Sequence, residues 1–123
     1  MGFLTNLKRA AGMGSVKSGT YHFWHMKVSS VALLVLIPLF LFTFGTVIGD
    51  DHEGVTAYFA RPIPSLIAAL TIIVGFEHFK SGATIMIEDY VHGFAQKVCL
   101  ICLSCLSYTA MAIGLYALAK MAF

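Results

Sequence analysis

Three long apolar segments dominate the pattern of hydrophobic and polar positions, at about residues 28–49, 65–87 and 98–119. Each is near the roughly 20 residues that a helix needs to cross the hydrocarbon of a bilayer. The first and third carry no charged side chain. The pattern predicts an all-α integral membrane protein, with a basic segment at residues 1–27 and a three-helix transmembrane domain at residues 28–123.

Polar stretches mark the connections between these segments. Residues 50–54 predict a polar turn, and Pro62 and Pro64 stand where proline favours a helix start. Residues 88–97 predict a polar connector before the third helix. Pro38 lies inside the first predicted helix, where neighbouring helices make the lost backbone hydrogen bond tolerable.

Composition narrows the function classes. Of the 123 residues, 59% are hydrophobic and 11% are charged, against about 45–50% and about 25% in soluble domains. A soluble enzyme and a disordered chain are therefore poor interpretations. The net charge of +2 is too small for a nucleic-acid-binding surface, and the length is too short for a transporter that builds both halves of its own pathway.

Basic residues predict the orientation. The N-terminal side and the second connector hold most of them, whereas the other side holds only Arg61 and Lys120. The positive-inside rule then places the N-terminus in the cytoplasm and the C-terminus on the periplasmic side. The short leader favours a bacterial inner membrane over a mitochondrial one.

Three cysteines, Cys99, Cys102 and Cys105, fall in the third apolar segment. Their spacing imitates part of an iron–sulfur run, but a fourth ligand is missing and the segment is a regular apolar helix. We therefore expect reduced thiols packed in the core.

The second apolar segment holds the ionisable residues. Such groups are costly inside a membrane and usually mark a function. His78 is a candidate axial ligand of haem iron, and Gly82, four residues later on the same helical face, would let a flat macrocycle approach the backbone. The alternative is that Gly82 permits close helix packing and His78 hydrogen-bonds a neighbouring helix.

Glu77 and Lys80 are three residues apart and can touch on a helix. A structural ion pair is the favoured interpretation, since contact partly neutralises both charges. A proton relay through Glu77 and His78 is the alternative.

Asp89 and Tyr90 follow His78 by about three turns, which places them about 17 Å lower on a continuous helix, at the cytoplasmic interface. A tyrosine hydroxyl can donate to a quinone carbonyl, and an adjacent carboxylate can support the site. The alternative for Tyr90 is an interfacial aromatic anchor.

A polar and aromatic cluster precedes the first span and comprises His22, Trp24, His25 and Lys27. Such clusters usually anchor a helix at the membrane interface. Near an anionic ligand this one could also supply positive charge, for instance to a haem propionate.

These motifs together resemble the small hydrophobic, cytochrome b-type membrane anchor of succinate dehydrogenase, respiratory complex II, of the alphaproteobacterial or mitochondrial type. The resemblance rests on an H-x-x-x-G…D-Y-V pattern, at His78, Gly82, Asp89, Tyr90 and Val91. The run at residues 19–29 also resembles the stretch that precedes the first helix in that family.

The resemblance implies specific roles. His78 would be an axial ligand of haem b and therefore bind its iron, while Tyr90 would contact ubiquinone with Asp89 beside it. Lys27 stands where the family usually has an arginine near the haem propionates, so a two-pronged contact becomes a single ammonium.

The resemblance also implies three protein partners: a flavoprotein that oxidises succinate, an iron–sulfur subunit, and a second cytochrome b-type anchor that supplies the other haem ligand. No succinate-oxidising site is expected in this chain, which has no nucleotide-binding motif. The anchor of a menaquinol:fumarate reductase remains an alternative. So does a non-enzymatic transporter or proton-channel subunit with Glu77, His78 and Lys80 along its path.

Overall fold

The computed structural model describes residues 5–11 and 19–123, and these are helical with short connections. Three of the helices, α2, α4 and α5, are long and apolar enough to cross a membrane. The five helices are α1 (Asn6–Ala11), α2 (Gly19–Gly45), α3 (His52–Phe59), α4 (Pro62–Tyr90) and α5 (Gly93–Ala122). The prediction of an all-α chain with three membrane-spanning helices is confirmed.

Helix α4 is the central element. It packs against α2 and against α5, while the backbones of α2 and α5 do not approach each other within the described part of the chain. Every functional side chain on α4 therefore faces α2, faces α5, or is left for lipid and partner chains.

Helix α2 begins nine residues before the predicted span and ends four residues before its predicted end. Its 27 residues extend about 40 Å, so its N-terminal turns continue beyond the hydrocarbon, where polar side chains meet water. Pro38 lies within the helix without ending it. The side chains of Lys8, Arg9 and Lys17 lie outside the described residues, and the cytoplasmic placement of the N-terminus stays a prediction.

The connection after α2 begins earlier than predicted, at residue 46, and the last three residues of the predicted turn belong to α3. Gly49 has a φ of +97°, a left-handed conformation that favours glycine, and Asp51 caps α3 by accepting a hydrogen bond from Gly54 N at 2.8 Å. Phe59 at the end of α3 is buried against Ala68 of α4 and Leu118 of α5. Helix α3 therefore closes one end of the bundle.

The predicted connector at residues 88–97 is almost absent. Helix α4 continues through Tyr90, only Val91 and His92 are non-helical, and α5 begins at Gly93. Gly93 has a φ of +72°, which lets the backbone reverse direction within a few residues. Helices α4 and α5 form a tight antiparallel hairpin.

The prediction that the three cysteines pack in the core is wrong. Cys102 and Cys105 are exposed on the chain, Cys99 is partly buried, and all three are free thiols. Ser107 and Leu118 occupy the packed side of α5 instead. A helix that is apolar all round carries no periodicity to show which face is inward, and this is why the prediction was wrong.

Candidate functional site

The imidazole of His78 joins α4 to α2. Its Nδ1 lies 2.8 Å from Oγ of Ser29, and the Ser29 side chain is 7% exposed. The same Oγ lies 2.9 Å from the carbonyl oxygen of Met26. The alternative interpretation of His78, a hydrogen bond to a neighbouring helix, is therefore present. It uses one ring nitrogen and leaves Nε2 for another partner.

An apolar groove of about 480 Å³ lies beside His78. Its wall is one face of α2, with side chains three and four residues apart, namely Ser30, Leu33, Leu34, Ile37 and Pro38. His78 is the one titratable residue of this lining. The arrangement suits a large flat apolar group that carries a site for one nitrogen ligand.

Gly82 lies one turn beyond His78 on α4. A Cβ built on Gly82 would meet no atom within 4 Å in the described part of the chain. Close packing against another helix of this chain therefore does not explain the glycine. The space beside it is open to a cofactor or a partner chain.

Lys27 lies at the N-terminal end of the groove-lining side of α2, one turn before Ser30. The side chain is exposed, and its Nζ stands 5.0 Å from the centroid of the Phe23 ring. Trp24 also contacts the Phe23 ring, edge to face. The ammonium therefore lies beside one aromatic ring, that of Phe23, with no carboxylate against it among the described residues.

The helix is continuous from His78 to Asp89 and Tyr90, as predicted. With about 100° per residue, Asp89 points within about 20° of the direction of His78, whereas Tyr90 points about 120° away. Asp89 is exposed, and Tyr90 is 82% exposed. The two residues thus lie at one level but on different faces of α4.

A second polar cluster faces α5. Lys80 Nζ lies 3.0 Å from Glu77 Oε2 and also donates a hydrogen bond to the hydroxyl of Tyr108 on α5. The predicted contact between Glu77 and Lys80 is confirmed. Glu77 and His78 point to different partners, so the structure does not bring together the pair that a proton relay would need.

A polar cleft of about 310 Å³ continues from this cluster toward the start of α2. His22 and His25 of the N-terminal cluster line this cleft and do not line the groove beside His78. The lining of the cleft comprises Tyr21, His22, His25, Glu77, Lys80, Ser81 and Thr84.

Two residues of the site were not predicted. No role is assigned to Ser29 from the sequence alone, although a hydroxyl in an apolar helix often bonds across helices. Tyr108 stands 28 residues from Lys80, and no local spacing signals their contact. Within residues 5–11 and 19–123, no cluster of three or more His, Cys, Asp or Glu side chains could hold a bare metal ion.

Comparisons with known proteins agree with this architecture. A family model described as succinate dehydrogenase/fumarate reductase transmembrane subunit matches residues 2–119. The succinate dehydrogenase hydrophobic membrane anchor subunit of Paracoccus denitrificans is 46% identical over 121 residues, which cover 98% of this chain and 94% of that protein. The chain belongs to the family of succinate dehydrogenase membrane anchors.

More distant anchors match as well. The succinate dehydrogenase membrane anchor subunit of Reclinomonas americana is 29% identical over 67% of this chain and 71% of its own. The hydrophobic membrane anchor subunit of Rickettsia bellii is 28% identical over 72% and 71%. No solved structure matches the chain. The predicted family is confirmed, and the chain is a multi-pass membrane subunit of succinate dehydrogenase.

Proposed function

We propose that this anchor binds haem b through His78 and forms part of the site where ubiquinone is reduced with electrons from succinate. One observation carries the proposal: an imidazole in a membrane-spanning helix has Nδ1 engaged by Ser29 and lines an apolar groove of about 480 Å³. An intramembrane histidine with one nitrogen held and one free is suited to axial ligation.

The residues around His78 fit a haem. The apolar side chains of α2 that line the groove would contact a macrocycle held at His78. Gly82, which does not line the groove, would leave room beside the backbone one turn away. Lys27 supplies a positive charge on the groove side for a propionate, as a single ammonium rather than a fork. A bound haem supplies a one-electron redox centre inside the membrane.

The second axial ligand comes from another polypeptide, the second cytochrome b-type anchor. The described part of this chain places no second histidine on the lining of the groove. Haem binding then requires the assembled pair of anchors and stabilises it. The iron–sulfur subunit and the flavoprotein complete the succinate dehydrogenase, in a bacterial inner membrane with the N-terminus of this chain in the cytoplasm.

Asp89 and Tyr90 form this chain's part of the quinone site. Ubiquinone takes up two electrons and two protons to become ubiquinol. The Tyr90 hydroxyl donates to a quinone carbonyl oxygen and stabilises the negative charge that develops there. The Asp89 carboxylate supports the site and handles protons. Their exposure leaves both accessible to a ligand held between this chain and its partners.

The ligand assignment is tested with His78→Ala in the purified four-subunit complex. We expect the optical and magnetic signature of six-coordinate low-spin haem to disappear, through loss of the pigment or of one axial ligand. His52→Ala, at the exposed start of α3, is the matched control and should leave the signature unchanged. A wild-type signature in His78→Ala would refute the assignment.

A further inference from the structure

We infer that Ser29 is a positioning residue, which fixes the orientation of the His78 imidazole for metal binding and determines which of its two nitrogens carries the hydrogen. The inference rests on the proposed haem ligation by His78 and deepens it. Its basis is the chain of contacts that runs from His78 Nδ1 through Ser29 Oγ to the carbonyl oxygen of Met26.

The position of each hydrogen along this chain of contacts follows from which atoms can donate and which can only accept. A neutral imidazole has one protonated nitrogen, and the nitrogen that binds iron must offer a lone pair. With Nε2 as the ligand, Nδ1 carries the hydrogen and donates it to Ser29 Oγ at 2.8 Å. The hydroxyl has one hydrogen of its own, and the carbonyl oxygen of Met26 accepts it at 2.9 Å.

The opposite direction of this hydrogen bond would prevent His78 from binding iron through Nε2. If the Ser29 hydroxyl donated to Nδ1, the imidazole hydrogen would sit on Nε2 and the iron-binding lone pair would be lost. The carbonyl of Met26 can only accept, so it favours the arrangement in which Ser29 accepts from His78. Burial of Ser29 at 7% exposure shields the contact from competing water.

The same contact fixes where the imidazole lies relative to the groove. Ser29 belongs to α2, and the next residue, Ser30, begins the face of α2 that lines the groove. One hydrogen bond therefore ties the ligand on α4 to the helix that forms the apolar wall. A neutral hydroxyl is also a weaker acceptor than a carboxylate, so it leaves the ligand as an imidazole with little imidazolate character.

The test compares three variants in the complete four-subunit complex. Ser29→Ala removes the acceptor, and Ser29→Cys keeps nearly the same volume with a poor acceptor in its place. In both we expect haem retention about 10–100-fold weaker, a midpoint potential shifted to more positive values because the imidazole is a weaker donor, and an altered magnetic signature. Ser29→Thr keeps the hydroxyl and should restore the potential and the signature.

Thr43→Val is the matched control. On the same helix, the Thr43 hydroxyl donates to the carbonyl three residues earlier, that of Phe40, at 3.0 Å, but Thr43 neither lines the groove nor makes a hydrogen bond to His78 in the described part of the chain. We expect wild-type haem potential and signature. A shift equal to that of Ser29→Ala would overturn the inference, because the effect would then belong to the helix rather than to the histidine contact.

The outcomes separate this inference from the proposal beneath it. If Ser29→Cys and Ser29→Ala lose haem or assembly while the remaining haem keeps its wild-type potential and signature, Ser29 only packs helices and the inference fails. In that case a changed signature in His78→Ala still supports the ligand assignment. A wild-type signature in His78→Ala removes both.

Discussion

Helix α4 makes polar contacts on two sides, and the two differ in kind. Toward α2, one neutral imidazole meets one buried hydroxyl, His78 with Ser29, beside an open apolar groove. Toward α5, an ion pair and a phenol, Glu77 with Lys80 and Tyr108, satisfy one another within the chain. In the first contact, Nε2 of His78 remains available as a ligand. In the second contact, no comparable group remains available.

This difference distinguishes ionisable residues of α4 that suit a functional role from those that stabilise the fold. Ionisable residues in a membrane segment are retained for a reason. A cluster that neutralises itself needs no further partner and joins two helices. A half-satisfied imidazole next to an open hydrophobic groove has a nitrogen left for a further molecule, as the proposed haem ligation requires. The comparison assigns α5 to the support of α4, and α2 to the formation of the site.

The largest effect is expected at Tyr90, at the end of α4 where we propose the quinone site, away from both contacts. Tyr90→Phe removes one donor to a developing negative charge, so ubiquinone reduction should fall about 100-fold. Succinate oxidation with an artificial acceptor should stay normal, as should the haem spectrum, because Tyr90 does not share the face of His78. Steady-state assays with both acceptors measure this; equal loss of the two activities would contradict the role.

The substitution Lys80→Met breaks the contact of Lys80 with Glu77 and Tyr108. We expect a loss of about 1–3 kcal/mol in the stability of the complex, because the Glu77 carboxylate and the Tyr108 hydroxyl lose their partner. The haem signature should not change. Unfolding of the purified complex in increasing concentrations of a denaturing detergent measures its stability. The optical spectrum reports whether haem is bound and how it is ligated.

The double variant Glu77→Leu with Lys80→Met sharpens this prediction. Replacing both members of an ion pair with apolar groups leaves no stranded charge, so most of the lost stability should return. A double variant as unstable as Lys80→Met, or an altered haem signature in either, would show that this cluster has a part in the site.

The smallest effect is expected in a comparison of two glycines, Gly82 on α4 and Gly114 on α5. Gly82→Ala adds a methyl group where the chain has open space, so helix stability should not fall, but a macrocycle against the backbone should bind several-fold more weakly. Gly114→Ala on α5 places its methyl 3.5 Å from Ile72 and should leave haem binding unchanged. Haem titration of both variants decides; equal affinities would argue against a macrocycle at Gly82.

Much of the fold could be predicted because length and apolarity report directly on membrane spans. The bounds were less certain, since α2 continues past the hydrocarbon to Gly19 and hydropathy reports only the part in lipid. Helix α3 was missed because eight residues of mixed polarity show no clear period. The burial of Phe59, which fixes α3 in place, depends on α4 and α5 and is invisible in the local sequence.

The site was predictable where its residues share one helix. The shared face of His78 and Gly82 follows from a spacing of four, and the contact of Glu77 with Lys80 follows from a spacing of three. Ser29 was not predictable as the partner of His78, 49 residues away. Such a pairing depends on how each helix is rotated, and helices that are apolar all round leave no signal for that rotation.

The link between α4 and α5 has a consequence for how this subunit takes part in turnover. Val91 and His92 alone join the two helices, and a connection so short has no slack. Neither helix can slide along its axis without carrying the other. A quinone at Tyr90, as proposed, would therefore meet a surface of fixed position, and any movement that admits or releases it would have to come from the neighbouring chains.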